Sequence, residues 1–184
     1  MDLLGWRRLF FRRPAVPEPD PLLAPPAPIR SAADLETEPM RQAWALLEGK
    51  RADRPFLARA DIDPSELKPL LPSIGLVEVH YEPLRFRIRL AGTDWRRTLG
   101  FEATGLWLDQ WPNPVQRQVL ELGWTTIVRE ARPGRARRNA LVEGVMLHYE
   151  AVFIPLAADG RTIDMVLVMS APWPNGAAPT AFAP

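Results

Sequence analysis

One stretch of alternating residues constrains the fold of this chain more than any other. Arg85 to Leu90 alternates charged and apolar side chains without a break. Because successive side chains of a β-strand point to opposite faces, its three apolar residues share one face and its three arginines the other. This pattern is typical of an antiparallel strand with one buried and one hydrated face. Gly75 to His80 precedes it across a turn that contains Pro83, so the two segments predict a β-hairpin.

The segments after the hairpin predict helices followed by further strands. A short helix ends at Gly100, and a long helix from Asn113 to Ala131 repeats apolar residues every three to four positions. Three strands follow, at residues 135–142, 146–156 and 162–170. The last is apolar on both faces, which places it in the middle of the sheet. We therefore expect an α+β fold, a five-stranded antiparallel sheet with helices on one face.

An N-terminal helical extension is predicted ahead of this domain. Residues 31–49 form a helix whose apolar stripe contains Met40, Trp44 and Leu47. A second, short helix is capped by Asp63-Pro64, with Leu67, Leu70 and Leu71 as its buried side. The expected division is a leader with a proline-rich linker lacking fixed structure (1–30), the extension (31–73), the main domain (74–171) and a disordered tail (172–184).

Composition excludes several classes of function. The 184 residues are 47% hydrophobic and carry a net charge of +1, so no bulk field favours nucleic acid, and we expect no nucleic-acid partner. The absence of cysteine removes disulfides and thiolate chemistry and is compatible with a reducing compartment. No apolar run reaches the roughly 20 residues that span a bilayer. We expect a cytoplasmic protein.

Several segments together resemble a divergent bacterial family of single-domain PAS proteins. The resemblance covers about Ala33 to Ala171 and lies in these residues: Trp44-Ala45-Leu46-Leu47, Ala60 to Pro64, Leu67 to Pro72, Phe86 to Thr93, Leu99-Gly100, Thr104-Gly105, Leu108-Asp109, Tyr149-Glu150, Ile154-Pro155-Leu156, Gly160 and Asp164-Met165. It implies a PAS-like fold and a sensory or regulatory role exerted through protein partners. It also implies a homodimer, for which the stripe of Met40, Trp44 and Leu47 is the candidate face.

The interior of the main domain offers a candidate ligand pocket between the sheet and the long helix. A filled hydrophobic core explains the same residues equally well, because an apolar stripe does not distinguish core from pocket. Tyr149 is the best polar contact for a small-molecule ligand, since a buried phenol needs a hydrogen-bond partner. The candidate lining consists of Phe86, Ile88, Leu99, Leu106, Trp124, Tyr149, Phe153 and Met165.

Two basic segments also have two interpretations each. The first is a patch that binds an anion or an acidic partner, or else a solvated edge strand protected by charge; its members are Arg132, Arg135, Arg137 and Arg138. The second, Met1 to Arg13, mixes arginines with Trp, Phe and Leu, and is either a weak interfacial helix or an unstructured leader. The interfacial interpretation makes the protein a membrane-peripheral adaptor, which liposome co-sedimentation of the full chain against residues 31–184 tests.

No catalytic or metal-binding motif stands out. Neither His80 nor His148 belongs to a cluster with ligand spacing, and the long helix lacks the histidine that would hold haem. Flavin photochemistry of the adduct-forming type requires a cysteine. We therefore expect no haem, flavin or metal and no enzymatic activity, although a small α+β enzyme with a hidden general acid stays an alternative.

Overall fold

Six antiparallel strands form one sheet in the part of the chain that the structure describes. The structure, a computed structural model, describes residues 24–142 and 145–172, apart from the side chains of residues 140–146. The strand order across the sheet is β1-β4-β5-β6-β2-β3. The strands are β1 (Ala27–Pro28), β2 (Gly75–His80), β3 (Arg85–Ala91), β4 (Gly134–Val142), β5 (Val145–Leu156) and β6 (Met165–Pro172).

The predicted strands are present, and the alternation holds in β3 as far as Arg89. In the β2–β3 hairpin, Phe86 and Ile88 are buried while Arg85, Arg87 and Arg89 are exposed. The prediction that Leu90 shares the face of Phe86 and Ile88 is wrong, because the register shift between Leu76 and Val77 places it on the outer face, where it is 41% exposed. The doubly apolar strand, β6, lies between β5 and β2 in the interior of the sheet. Its residues Val166, Leu167 and Met169 are fully buried, which requires cover on both faces.

Three α-helices and four 3₁₀ segments complete the described chain. The helices are α1 (Glu38–Arg51), α2 (Thr93–Leu99) and α3 (Pro114–Glu130), and the 3₁₀ segments are Ala32–Asp34, Arg59–Asp61, Pro64–Ser73 and Leu108–Gln110. The Asn113 side chain accepts from two backbone N–H groups of the first turn of α3. Gly100 ends α2 with a φ of 79°, a left-handed conformation that favours glycine.

Helices cover both faces of the sheet rather than the one face predicted, because α1 and the 3₁₀ segments pack on the face opposite α3, and the two faces have separate cores. The inner face packs against α3 and the segment around Trp111, and its buried side chains include Val77, Val79, Phe86, Ile88, Ala151, Phe153, Val166 and Val168. The outer face packs against α1 and the 3₁₀ segments, and its buried side chains include Leu76, Val152, Ile154, Leu156, Leu167 and Met169. The N-terminal extension is therefore a structural layer of this domain.

The α+β class is confirmed, and several details differ from expectation. The sheet has six strands because Ala27–Pro28, assigned to the linker, pairs with the start of β4. The N-terminal helix begins at Glu38, where Pro39 occupies the first turn, and continues past Gly49 to Arg51. Leu71 is 37% exposed and does not belong to the buried side of its segment. Residues 1–23 and 173–184, which include Met1 to Arg13, lie outside the described residues.

Candidate functional site

Helix α1 is packed into the core of its own chain. Met40, Trp44 and Leu47, the predicted dimer face, are 0%, 6% and 2% exposed and contact the outer face of the sheet. In the docked helix the chain's own sheet covers these side chains, and whether they form a dimer face in another state stays a prediction. A stripe at helical spacing predicts a buried face, but it does not say whether the covering surface belongs to the same chain or to a second one.

A buried carboxylate holds the start of α1 against the sheet. Glu150 lies on β5, is 1% exposed, and accepts three hydrogen bonds through its two oxygens. The backbone N–H groups of Glu36 and Thr37 donate to it at 2.9 Å each, and the Thr37 hydroxyl donates at 2.8 Å. Thr37 is the N-cap residue of α1. Because a buried carboxylate is costly unless it is hydrogen-bonded, these three donors are needed for its burial.

A second carboxylate ties the same turn to the edge strand β4. Glu36 accepts from Arg135 at 2.8 Å and from Arg137 through Nε at 2.9 Å and a terminal nitrogen at 2.8 Å. The Arg137 contact is bidentate, the geometry that makes Arg–carboxylate pairs strong and specific. The guanidinium of Arg41 donates in addition to the backbone carbonyls of Leu35 and Glu36.

We call these contacts the α1 anchor and define it by Glu36, Thr37, Arg135, Arg137 and Glu150. In the anchor, one turn of backbone is held through its N–H groups, its carbonyls and a side chain. Along its length α1 is held by its apolar stripe, and near its end Lys50 donates to the carbonyl of Asp61 at 3.1 Å and pairs with Glu66. The helix is therefore held by the polar anchor at its start, by a hydrophobic stripe along its length and by the contacts of Lys50 near its end.

The four arginines of the predicted basic patch do not form one patch. Arg135 and Arg137 lie on the outer side of β4, in the α1 anchor. Arg138 points to the opposite side, is 8% exposed, and donates to the carbonyl of its neighbour Arg137 at 3.0 Å. Arg132 pairs with Glu130 near the end of α3. Alternation along β4 separates the residues, and two of the four have a structural role.

Arg138 and Tyr149 lie opposite each other on the paired strands β4 and β5. Burial lowers the pKa of the Arg138 guanidinium, with a smaller opposing effect from Tyr149. Burial likewise raises the pKa of the Tyr149 phenol, and the charge of Arg138 partly offsets this increase. The pair is thus a polar contact next to the inner core.

Most of the predicted ligand pocket lies together on the inner face. Phe86, Ile88, Trp124 and Phe153 are buried there, and Leu99, Leu106 and Tyr149 are half-buried against them. Met165 packs against the outer core and cannot belong to the same site. The Trp124 indole is fully buried, and its Nε1–H has no hydrogen-bond partner among the described residues. Whether these side chains line a ligand site stays a prediction.

Two surface grooves lie elsewhere, and none of the eight predicted pocket residues lines either one. A groove of about 250 Å³ lies beside α1 and includes Trp44, Glu48 and Phe56. A groove of about 380 Å³ lies between the 3₁₀ segment Pro64–Ser73 and β3.

The two histidines belong neither to the α1 anchor nor to either groove. His80 stacks on Trp107 at a centroid distance of 4.8 Å, and His148 Nδ1 lies 2.7 Å from Asn139 Oδ1. The described residues contain no group of three potential metal-binding side chains of the His, Cys, Asp and Glu types. Among the described helices, none combines the length and apolar character needed to cross a bilayer.

Sequence reasoning missed the acidic half of the anchor. Glu150 lies on the same strand face as Val152 and Ile154, which are buried in the outer core. Because every second residue of a strand lies on the same face, a carboxylate two and four residues from buried apolar side chains is predicted to be buried as well. Its donors, Glu36 and Thr37, precede it by more than 100 residues, and no local pattern pairs them.

Comparison with known proteins agrees with this architecture. A family model described as PAS domain matches residues 35–169, which include α1, β2 to β5 and the first part of β6. The chain belongs to the PAS domain family. The family assignment is confirmed, whereas a bacterial origin stays a prediction.

Solved PAS structures resemble the chain at low sequence identity. The PAS domain of BvgS from Bordetella pertussis is 13% identical, with a TM-score of 0.35, covering 55% of this chain and 75% of its own. The PAS domain of an HTR-like protein from Haloarcula marismortui is also 13% identical, with a TM-score of 0.37 and coverages of 59% and 90%. A fungal LOV domain photoreceptor is 15% identical, with a TM-score of 0.40 and coverages of 74% and 92%. No curated protein sequence matches the chain significantly.

Proposed function

We propose that this PAS domain is a cytoplasmic regulatory module in which release of α1 from the outer sheet face controls binding to another protein chain. PAS domains are typically sensory, non-enzymatic modules, and membership of the family suggests that role here. The observation that carries the proposal is the α1 anchor, in which the buried Glu150 holds the backbone at Glu36 and Thr37.

The hydrogen bonds of the anchor and the apolar contacts of α1 contribute similar free energies to docking, which makes the anchor a suitable point of control. Each hydrogen bond to a charged group contributes about 1.5–3 kcal/mol. Full burial of each large apolar side chain contributes about 1.5–3 kcal/mol, and α1 buries three such residues, Met40, Trp44 and Leu47. Because the two sets are of similar size, an event that disturbs the anchor changes the docking equilibrium substantially.

Strand β5 links the anchor to the inner core. Tyr149 packs on the inner core, and Glu150, the next residue, lies in the anchor on the outer face. A small molecule that displaced Tyr149 would shift β5 and thereby alter the Glu150 contacts, and Trp124 Nε1, which has no partner among the described residues, could donate a hydrogen bond to it. This is the ligand-dependent form of the proposal, and a ligand acts here only by stabilising one of the two docking states more than the other.

Release of α1 would expose an apolar surface on the sheet. Val152, Ile154, Leu167 and Met169 are buried under α1 and its flanking segments. Exposed patches of this kind mark interaction sites in soluble proteins. A second copy of the chain, or another protein, would then cover the surface, which keeps the expected homodimer as a property of the released state.

Glu150 offers no support for the alternative of a small enzyme. Its burial makes it the hidden carboxyl that such an enzyme would require, but both oxygens already accept hydrogen bonds from the α1 turn. A general acid must reach a substrate within hydrogen-bond distance. The geometry of this carboxyl is that of a structural acceptor.

Sedimentation velocity of the full chain tests the proposal. Glu150→Gln is expected to shift the protein from monomer towards dimer over a range of concentrations, whereas Glu121→Gln, an exposed position on α3, leaves the distribution unchanged. Hydrogen exchange of the α1 amides shows in parallel whether α1 has been released. If α1 is released and no self-association follows, the second-copy form of the proposal is wrong.

A further inference from the structure

A row of four side chains on β3 forms a surface that is basic along most of its length and apolar at one end. The register pairs Glu78 with Arg87 and Leu76 with Leu90, and the irregularity between these pairs makes Arg89 an extra residue. Leu76 belongs to the outer core, so its partner Leu90 lies on the outer face as well. We call Arg85, Arg87, Arg89 and Leu90, together with Leu71 beside them, the β3 surface.

The apolar end of this surface is a groove. It has a volume of about 380 Å³ and is lined by Leu71, Pro72 and Leu90 together with Leu76 and Leu167 from the sheet. Leu71 and Leu90 are 37% and 41% exposed and belong to the few large apolar side chains exposed in the described part of the chain. Two exposed leucines in one groove suggest a contact site more strongly than isolated ones do.

The basic end has more positive charge than its acidic neighbours balance. Arg85 pairs with Asp109 at 2.6 Å and stacks on Trp107 at 4.2 Å from the ring centroid. Arg87 and Arg89 share a single carboxylate, Glu78, at 3.8 Å each, which is too long for a hydrogen bond. Arg87 donates in addition through Nε to the carbonyl of Gly105 at 3.3 Å. Its terminal nitrogens and the guanidinium of Arg89 are therefore able to bind a further carboxylate.

Protection of an edge strand does not account for the arginines. Exposed edges are often guarded by charge because their backbone groups would otherwise pair with another chain. Here the edge is already occupied, because Ile88 donates to the carbonyl of Leu106 at 2.9 Å and accepts from the N–H of Gly105 at 2.7 Å. The arginines also lie on the sheet face, where they do not block pairing at the edge.

We propose that the β3 surface docks an acidic amphipathic helix of a partner protein. Apolar side chains of that helix would enter the groove at Leu71 and Leu90, and its Asp or Glu side chains would pair with Arg87 and Arg89. Arginines two apart on a strand are separated by about 6.8 Å, and helical residues four apart by about 6 Å, so carboxylates at this spacing match. A helix also satisfies its own backbone on a sheet face, where an extended peptide finds no backbone partners.

Charge excludes the basic N-terminal segment of the chain as the occupant. Met1 to Arg13 carries four arginines, which the arginines of β3 would repel. This proposal adds the chemistry of a partner to the regulatory function proposed above, and it does not depend on movement of α1.

Fluorescence anisotropy with a designed peptide tests the docking. The probe is a labelled synthetic helix of about 18 residues, five turns, with leucine on one face and glutamate on both flanks. The full chain is expected to bind it more tightly at low than at high salt. The Arg87→Gln/Arg89→Gln double variant and Leu90→Gln should each bind about tenfold more weakly, which corresponds to about 1.4 kcal/mol.

Matched controls separate this outcome from non-specific attraction. Arg129→Gln and Leu122→Gln change exposed residues of the same types on α3 and should stay within about twofold of the wild type. A peptide with lysine at every glutamate position should not bind. Equal binding of the two peptides, or unchanged binding by the β3 variants, would overturn the proposal.

Two further arms identify what has failed if a result is negative. Co-sedimentation with phosphatidylglycerol vesicles that is lost in the double variant, while peptide binding is unchanged, would show that the surface binds lipid and that the partner proposal is wrong. Peptide binding by Glu150→Gln should still be weakened when Arg87→Gln and Arg89→Gln are added, because these arginines lie outside the surface that α1 covers. If the peptide binds but hydrogen exchange shows no release of α1 in Glu150→Gln, only the release proposal is refuted.

Discussion

The conservative substitution Glu150→Gln isolates the contribution of the α1 anchor. It keeps the size of the side chain but replaces one carboxylate oxygen by an NH₂ group, which donates and cannot accept. In the structure both oxygens face donors, namely the N–H groups of Glu36 and Thr37 and the Thr37 hydroxyl. The variant therefore places one donor against another whichever way the amide is turned.

The expected loss follows from these contacts. If the amide oxygen keeps the two bonds from Thr37, the bond from Glu36 N–H is lost, at a cost of about 1.5–3 kcal/mol for a bond to a charged acceptor. The two retained bonds also weaken, because charge-assisted bonds are about twice as strong as neutral ones. A neutral amide is less costly to bury than a carboxylate, which offsets part of the loss. We expect a net destabilisation of about 2 kcal/mol in the docking of α1.

Urea denaturation and native-state hydrogen exchange measure this loss. The α1 amides are expected to exchange about 30-fold faster in Glu150→Gln, the factor that corresponds to about 2 kcal/mol. Amides in the centre of β6 should change less. Thr37→Val, which removes the hydroxyl donor and leaves both backbone bonds, should give a smaller effect in the same direction. Unchanged or slower exchange of α1 in Glu150→Gln would refute the reasoning.

Three further substitutions test the packing and the electrostatics. Leu47→Ala should destabilise the fold by about 2–5 kcal/mol, whereas exposed Leu122→Ala should cost less than about 1 kcal/mol in urea melts. Equal costs would contradict the assignment of Leu47 to the core. Gly92→Ala should prevent stable folding, because its Cβ would lie 2.3 Å from a backbone carbonyl oxygen. Its control, Gly49→Ala, lies in open space within α1 and should stabilise the protein by about 0.5 kcal/mol. A well-folded Gly92→Ala would disprove the close approach. A hydrogen bond from Arg54 lowers the pKa of Asp61 below its unfolded value, so the stabilisation is complete above that value of about 3.9 and is lost as the pH falls through the folded pKa. Asp61→Asn should therefore lose less stability than the wild type between about pH 5 and about pH 2 in urea melts, and parallel curves would contradict this.

The sequence predicts those elements whose pattern has a single structural explanation. The alternation of β3 from Arg85 to Arg89, the two apolar faces of β6 and the caps at Asn113 and Gly100 each specify local geometry, and the structure agrees. The bulge that turns Leu90 to the outer face depends on pairing with β2 and has no signal in β3 itself. Alternation also separates Arg138 from Arg135 and Arg137, since residues an odd number apart on a strand face opposite sides. Applied to β4, this rule already divides the basic patch.

The remaining features depend on contacts between distant segments. The stripe on α1 has the same pattern whether its own sheet or a second chain covers it, and only the tertiary fold decides. Ala27–Pro28 has the composition of a linker. It nevertheless pairs with β4 as an edge strand of the sheet, where a proline is tolerated. Glu150 finds its donors more than 100 residues earlier, so its role follows from the packed structure.

Thiol labelling tests reversible docking of α1 most directly, because the chain has no cysteine and a single introduced thiol is the only reporter. Ala43→Cys places a thiol under α1 on the outer face, and Ala151→Cys places one in the inner core; these positions are 4% and 3% exposed. Release of α1 without global unfolding predicts that the thiol at position 43 reacts at least about tenfold faster and with a weaker dependence on urea. Equal rates with equal dependence on urea would show that α1 opens only when the whole domain unfolds, which contradicts the proposed regulation.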